Sequence, residues 1–385
     1  MKYIDEFRDA QAAQQLITRI QGAVKADKSY RIMEFCGGHT HTLFRYGIPE
    51  LLPKNVQLLH GPGCPVCVLP IPRIDAAIEI ALKPKVILCS YGDMLRVPGS
   101  NGMSLLKARA QGADVRMVYS PVEVLQVAQD QPEHEVVFFA VGFETTTPPT
   151  AQLLALAEAA KIPNLSIFCN HVLTPPAMLS VLEDDMVVDG MIAPGHVSLV
   201  TGSQAFTEVV NDYHLPLVVT GFEPLDLLQA IYMLVLQINQ GEQQLENQYT
   251  RAVTTQGNTK AQALIQHYLE PRDSFEWRGL GQLANSALKI RDAYGAFDAE
   301  KRFRLSKQSA SDNKACECPA VLRGQKKPNE CKLFNKPCTP DNPLGACMVS
   351  SEGACAAYYN YQPLTLSEPA AEALNETFIE TKPCH

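Results

Sequence analysis

The sequence predicts an α/β protein with two parallel-sheet domains and a small cysteine-rich domain at its C-terminal end. Short apolar runs alternate with helical patterns, which is typical of parallel strands joined by right-handed crossovers. Glycine, proline or polar residues follow these runs, as expected where parallel strands end at one rim of a sheet. Six of the twelve cysteines fall within 40 residues, and this density predicts a domain built around a metal.

The first predicted domain spans residues 1–132. It opens with an amphipathic helix over 3–24, because apolar residues recur on roughly one face. The strand-like and helical patterns then alternate, so we expect parallel pairing. The predicted strands are 30–35, 56–59, 85–90 and 114–119, and the later helices are 73–82 and 104–111.

The second predicted domain spans residues 133–241 and repeats this plan. Prolines begin all three of its helices, where the first turn has spare amide groups. The tripeptide Gly-Phe-Glu occurs twice, at 142–144 and at 221–223, and indicates a sharp backbone turn at the rim. The predicted strands are 136–141, 165–169, 190–193 and 217–220, and the helices are 148–160, 175–182 and 224–240.

Residues 242–385 form the third predicted domain, a helical connector followed by the cysteine-rich region. A polar linker over 306–314 separates the two parts. Cys384 and His385 end the chain, and we assign them no role.

Composition restricts the class of protein. Hydrophobic residues make up 46% and charged residues 19% of the 385 residues, and the net charge is -8. An acidic chain has no basic surface for nucleic acid, so we expect no nucleic-acid partner. The longest apolar runs are too short to cross a bilayer, and the N-terminus lacks an apolar signal core. We expect a cytoplasmic protein, in which cysteines serve metal binding or redox chemistry.

The cysteine-rich region indicates a metal centre. A structural zinc site usually shows paired Cys-x-x-Cys spacings, which this region lacks. Six soft thiolates favour an iron–sulfur cluster, with four ligands and two further thiols. Zinc remains the alternative. The six residues are Cys316, Cys318, Cys331, Cys338, Cys347 and Cys355.

The segment Cys64-Pro65-Val66-Cys67 has the spacing of a redox pair. Two thiols this close can form a reversible disulfide. A helix beginning here would lower a thiol pKa at its N-terminus. The alternatives are half of a zinc site or two buried thiols.

Cys36 is expected at the tip of the first strand. A single cysteine is often a buried filler, but Gly37 and Gly38 allow another group to approach the backbone closely. His39 and His41 are candidate proton carriers or supporting ligands. A helix cap or a core contact is the alternative for both histidines.

Glu144 follows a strand end and is a candidate general base or hydrogen-bond acceptor. It could equally stabilise the dipole of the following helix. Asp93, Asn170, His171 and His196 lie at comparable strand ends and are weaker candidates.

Taken together, the motifs resemble the HypD family of nickel–iron hydrogenase maturation factors over essentially the whole chain. The resemblance rests on Cys36-Gly37-Gly38-His39-Thr40-His41, Gly61-Pro62-Gly63-Cys64-Pro65-Val66-Cys67, Gly142-Phe143-Glu144-Thr145-Thr146 and the cysteine-rich region. It implies two α/β domains whose parallel sheets face a cleft, with a C-terminal domain that carries a 4Fe–4S cluster.

The resemblance also implies a role and a set of ligands. The role is an assembly scaffold, rather than a conventional turnover enzyme, for the iron that carries two cyanides and one carbon monoxide. Partners would be a HypC-type chaperone, which shares the iron with Cys36, and HypE with HypF as the cyanide donor. Cys318 and Cys347 would form a redox disulfide. The cluster ligands would be Cys316, Cys331, Cys338 and Cys355.

These assignments suggest a relay of thiols, in which electrons pass from the cluster through Cys318 and Cys347 to Cys64 and Cys67, and then to the iron at Cys36. His39 and Glu144 would assist at the site. Two other hypotheses compete: a free-standing thiol–disulfide oxidoreductase, and a zinc-bearing structural protein that only binds partners.

Overall fold

A computed structural model describes residues 4–183, 188–305 and 315–361. The predicted linker over 306–314, and Cys384 and His385, lie outside these residues. No helix among the described residues is long and apolar enough to cross a membrane. The strands of the described residues are β1 Tyr30–Glu34, β2 Val56–His60, β3 Val86–Ser90, β4 Asp114–Met117, β5 Glu135–Gly142, β6 Leu165–His171, β7 Gly190–Pro194, β8 Leu217–Thr220, β9 Leu245–Asn247, β10 Leu269–Pro271, β11 Ser274–Trp277, β12 Gly281–Ala284 and β13 Leu288–Ile290.

The helices cover the sheets and connect their strands. The helices of the described residues are α1 Ala10–Ala23, α2 Gly37–Arg45, α3 Ile48–Leu51, α4 Pro65–Val68, α5 Ile71–Ala81, α6 Gly92–Arg96, α7 Leu105–Ala110, α8 Pro121–Asp130, α9 Thr147–Ala159, α10 Thr174–Glu183, α11 Gly195–Thr201, α12 Thr207–Tyr213, α13 Pro224–Gln240, α14 Thr259–Tyr268, α15 Ala299–Arg302, α16 Cys318–Leu322 and α17 Ala354–Tyr361, with short 3-10 turns at Asp5–Phe7, Ser100–Gly102, Ser203–Phe206, Asp292–Phe297, Pro328–Glu330 and Ala346–Met348.

Two sheets of parallel strands organise the molecule, which confirms the predicted α/β class. The first sheet has the order β2-β1-β7-β8-β9 and the second has the order β4-β3-β5-β6. All strand pairs in both sheets are parallel. Each of the eight predicted strands is present, and the ends differ by no more than two residues.

The strand pairing does not follow the predicted division of the chain at residue 132. Strand β3 pairs with β5 across that boundary, with Ile87 beside Val136. Strand β1 pairs with β7, with Ile32 beside Gly190. The chain therefore leaves the first sheet after β2, builds the whole second sheet, and returns to the first sheet at β7.

The region after residue 241 also differs from the predicted helical connector. It contains one long helix, α14, and the antiparallel pairs β10–β13 and β11–β12. In β11 the burial alternates, with Phe275 and Trp277 inside, which is the period of a strand rather than a helix. Gly279 and Gly281 both have φ +86, a conformation that glycine adopts readily. These two glycines allow the turn between β11 and β12.

One core joins the two sheets to the cysteine-rich region. Met33 and Met191 of the first sheet, and Leu88 and Phe139 of the second, belong to the same buried cluster as Cys347. The outer faces of the two sheets belong to two other buried clusters. In the first sheet, Ile32 packs beneath α1 and α13. In the second sheet, Phe138 packs in a cluster that includes residues of α9. The inner faces of the sheets and the C-terminal region are thus packed as one body.

Candidate functional site

Cys36 lies at the carboxyl end of β1 and caps the N-terminus of α2. Its backbone is still extended, with φ -152 and ψ 126, and its side chain is half-buried. Burial and the nearby Glu352 and Glu34 carboxylates raise the pKa of the thiol. The sequence predicted the strand tip but not the helix that begins at Gly37. Cys36 therefore stands at the carboxyl edge of a parallel sheet, which is where ligands bind in open α/β sheets.

Three glycines bring other segments against Cys36. A Cβ on Gly63 would stand 2.5 Å from the Cys36 Cα and backbone nitrogen. A Cβ on Gly37 would stand 2.4 Å from Glu352, and one on Gly38 would stand 2.9 Å from the Phe222 ring. Any side chain at these positions would push the segments apart. The predicted close approach to Gly37 and Gly38 is confirmed.

Glu34 is a buried acceptor beneath Cys36 that the sequence analysis missed. Its carboxylate accepts the Cys36 backbone N–H at 2.8 Å and the Thr40 hydroxyl. His60 Nδ1 lies 2.8 Å from the same carboxylate. The feature of the sequence that could have revealed it is a single acid at the end of an otherwise apolar strand. A buried carboxylate requires hydrogen-bonding partners, so an acid at that position predicts a local network. Glu34 holds the Cys36 backbone and β2 together.

His39 packs against the Phe222 ring, and Phe222 connects the buried His39 to the surface of the protein. The His39 and Phe222 ring centroids are 4.7 Å apart with the rings tilted, and His196 stacks on Phe222 with the centroids 3.6 Å apart. His39 is completely buried, and neither ring nitrogen has a close hydrogen-bond partner among the described residues. Burial lowers the pKa of His39 to about 4. The imidazole is therefore neutral at pH 7, which suits a positioning role better than proton release.

His41 contacts the cysteine-rich region instead of Cys36. Its Nε2 lies 2.9 Å from the Tyr361 hydroxyl, and the nearby Phe44 ring packs on Tyr358. These contacts dock α17 against α2. For His41 the structural interpretation, a contact within the core of the fold, describes what is observed.

Cys64 and Cys67 follow the Gly61-Pro62-Gly63 turn, in which Gly63 packs on the Cys36 backbone. Cys64 caps the short helix α4, and both thiols are buried. The expected lowering of a thiol pKa is wrong for Cys67. Burial raises its pKa, and the neighbouring Cys347 and Cys64 thiols add to the effect. A four-residue helix has too few peptide dipoles to overcome desolvation.

The cysteine-rich region surrounds one small cavity. It is lined by five cysteines, Cys316, Cys318, Cys331, Cys338 and Cys355, and by Val321, Leu333, Phe334 and Met348. The sulfurs of Cys316 and Cys318 are 3.3 Å apart. All eleven cysteines of the described residues are free thiols, so a Cys318–Cys347 disulfide stays a prediction.

The donors fit an iron–sulfur cluster. All four predicted ligands line the same apolar cavity, and thiolates around a shielded cavity are the donor set that such clusters take. Across the described residues, no three His, Cys, Asp or Glu side chains are arranged to hold a single metal ion. Residues Cys316, Cys331, Cys338 and Cys355 would hold the cluster.

Cys347 connects this cavity to the Cys-x-x-Cys pair. It is completely buried, and its thiol interacts with the neighbouring thiols of Cys318, Cys355 and Cys67, which lower its pKa. Helix α4 packs on the turn that carries Cys347, and the Cys67 Sγ lies 3.8 Å from the Ala346 carbonyl oxygen. The thiols therefore form a continuous series from the cavity, through Cys347 and Cys67, to the loop that packs on Cys36.

Glu144 lies just after β5 of the second sheet, on a different sheet from Cys36, and binds Thr174. Its carboxylate accepts the Thr174 N–H at 2.7 Å and the Thr174 hydroxyl at 2.8 Å. Burial raises its pKa to about 7. Glu144 fastens the start of α10 to the end of β5, and its catalytic role stays a prediction. The weaker candidate His171 is likewise buried, 2.9 Å from the Thr150 hydroxyl.

Comparison with known proteins identifies the family. The HypD family model, described as the hydrogenase formation hypA family, matches residues 11–362. The hydrogenase maturation factor HypD of Azotobacter vinelandii is 62% identical over 367 residues, which cover 94% of this chain and 97% of that protein. The factor of the same name from Escherichia coli K12 is 48% identical over 368 residues, which cover 94% of this chain and 98% of that protein. Because a family model and full-length relatives match nearly the whole chain, the protein belongs to the HypD family.

Proposed function

We propose that this chain is a hydrogenase maturation factor that serves as the scaffold for assembling an iron fragment with cyanide and carbon monoxide ligands. Its relatives are hydrogenase maturation factors by name. Cys36 is the proposed anchor for the iron, which is the cargo of the reaction. A HypC-type chaperone would supply the second anchor, and HypE with HypF would supply cyanide.

The observation that supports the proposal is a series of neighbouring thiols that leads from the cavity to the loop packed on Cys36. Cys347 is a neighbour of Cys318, Cys355 and Cys67, and Gly63, next to Cys64, packs on the Cys36 backbone. Soft thiolates suit low-spin iron with cyanide ligands. A cluster in the cavity would supply single electrons.

The residues between the cavity and Cys36 can carry reducing equivalents. A disulfide between Cys64 and Cys67 would accept two electrons and two protons and become two thiols. Cys347 would attack that disulfide at Cys67, its neighbour, which releases Cys64 as a thiol and forms a Cys347–Cys67 mixed disulfide. Cys318, which is also a neighbour of Cys347, would then attack Cys347 and release Cys67 as a thiol. The two electrons would come from the Cys318–Cys347 dithiol, which becomes a disulfide and would be reduced again by electrons from a cluster. The reduced pair would then face the Cys36 loop.

The free-standing oxidoreductase is less well supported. Cys64 is 3% exposed and Cys67 is 1% exposed, so another protein's disulfide cannot reach them directly. Thiol–disulfide exchange requires access of the attacking thiolate to a sulfur. The burial favours electron delivery inside this chain.

The test is the infrared spectrum of anaerobically purified protein, alone and in complex with a HypC-type chaperone. We expect bands of iron-bound cyanide and carbon monoxide, with a brown colour and cluster absorption. Bands that are absent from both samples, when the chain is folded and the cyanide donors are present, would contradict the proposal.

Replacing the connecting thiol tests the relay. Cys347→Ser should retain the cluster absorption, because the four proposed ligands remain, but should lower the cyanide bands roughly tenfold or more, since a serine hydroxyl cannot exchange with a disulfide. Cys169→Ser is the matched control, because Cys169 is also a buried thiol but contacts the Leu288 carbonyl and lies outside the series. Equal band intensity in both variants would rule out electron passage through Cys347.

A further inference from the structure

The cysteine-rich region carries a charge opposite to that of the whole chain. The chain has a net charge of -8, yet residues 323–336 contain five cations and a single acid, Glu330. The cations are Arg323, Lys326, Lys327, Lys332 and Lys336. Such a concentration in an acidic protein creates a local positive potential.

Three of these lysines are exposed and available. Lys327, Lys332 and Lys336 are exposed, and within the described part of the chain their ammonium groups form no ion pair. Lys326, in contrast, is paired with Glu317. We call Lys327, Lys332 and Lys336 the lysine face.

The lysine face flanks a partly accessible wall of the cysteine cavity. Cys331 lies between Lys327 and Lys332 in sequence and is half-buried, as Cys316 is, while Cys338 and Cys355 are buried. Cys331 lines the cavity. A groove of about 470 Å³ beside the edge strand β2 is lined in part by Lys54, Lys326 and Lys327. Positive charge therefore borders both the cavity wall and an open depression.

Resting on the proposed function, we infer that the lysine face is the docking surface for an acidic one-electron carrier protein. The relay to Cys36 would consume electrons, and at Cys331 a half-buried cavity thiol lies directly beside Lys332 of the lysine face. The cavity cysteines would hold a cluster able to accept one electron from a reduced carrier, which would be oxidised by one electron with no bond made or broken. Electron-transfer encounters use small interfaces steered by complementary charge.

The experiment measures binding directly, using full-length anaerobic protein and an acidic plant-type ferredoxin as the probe. We expect a weak complex whose affinity falls by roughly tenfold when ionic strength is raised from about 0.02 to about 0.2 M, because surface charges are screened. The triple variant K327E/K332E/K336E should bind at least about tenfold more weakly at low salt. A basic cytochrome c should bind no more tightly to wild type than to the variant.

The control variant is K25E/K161E/K260E, which changes the net charge equally at three exposed lysines far along the chain from the cavity. It should bind the ferredoxin nearly as wild type does. Equal weakening in both triple variants would overturn the docking surface, because only net charge would matter. Ferredoxin binding at low salt that the K327E/K332E/K336E variant leaves unchanged would overturn it too. Infrared bands obtained with a chemical reductant would separate a failure of docking from a failure of iron assembly.

Discussion

Cys36→Ala should abolish iron-bound cyanide and carbon monoxide bands in the infrared while leaving the protein folded. The reason is chemical, because alanine provides no ligand. Cys36 is the thiol at the rim where the loops after β2 and β8, and Glu352, pack around the start of α2. The Cys36 thiol is half-buried, so its removal opens no large cavity. We expect the free energy of unfolding to change by no more than about 1 kcal/mol.

Cluster absorption and a control variant show whether the loss of the infrared bands is specific to the iron anchor. Cluster absorption should persist in Cys36→Ala, because the cavity cysteines are separate. Cys89→Ala is the matched control: it removes a buried thiol from the outer face of the second sheet, and should keep the infrared bands. Bands at wild-type intensity in Cys36→Ala would show that the iron is anchored elsewhere.

The local structure could be predicted because each strand carries its own signal. Runs such as 86–90 and 190–194 are apolar and end at polar or small residues, and both form completely buried strands. That same uniformity hides which sheet a strand joins. Strands buried on both faces look alike in sequence, so nothing local showed that β7 pairs with β1, more than 150 residues earlier.

The residues of the functional site could also be predicted from the sequence only in part. Cys36, Cys64, Cys67 and the cavity cysteines could be predicted because their neighbours constrain the backbone or their spacing is unusual. The roles of Phe222, Glu352 and Cys347 could not, because each depends on contact between segments far apart in the chain. Phe222 occurs in a repeated tripeptide, but only packing shows that its ring contacts both His39 and His196.

The segment after residue 241 is fastened to the second sheet by a charge cluster that the sequence also concealed. Glu300 of α15 lies 2.7 Å from Arg73 of α5 and also bonds Arg272. Arg73 and Arg272 each donate to the Cys169 carbonyl at the end region of β6, and Arg73 stacks on Phe168 at 4.2 Å. One carboxylate thus balances two half-buried guanidinium groups.

Glu300→Ala should lower the free energy of unfolding by about 3 kcal/mol at pH 7, because it leaves two guanidinium groups close together without their counter-charge. Burial alone would raise the pKa of Glu300, but Arg73 and Arg272 outweigh it and lower the pKa to about 2 from the ordinary 4.5. The contribution is therefore complete above about pH 4.5 and is lost as the pH falls toward about 2.

Urea unfolding at pH 7 and pH 3 should show the difference between wild type and variant shrinking in acid. Glu276→Ala, at an exposed position on β11, should change stability by no more than about 0.5 kcal/mol. A pH-independent difference for Glu300→Ala would mean that packing, rather than the ion pairs, holds this segment in place.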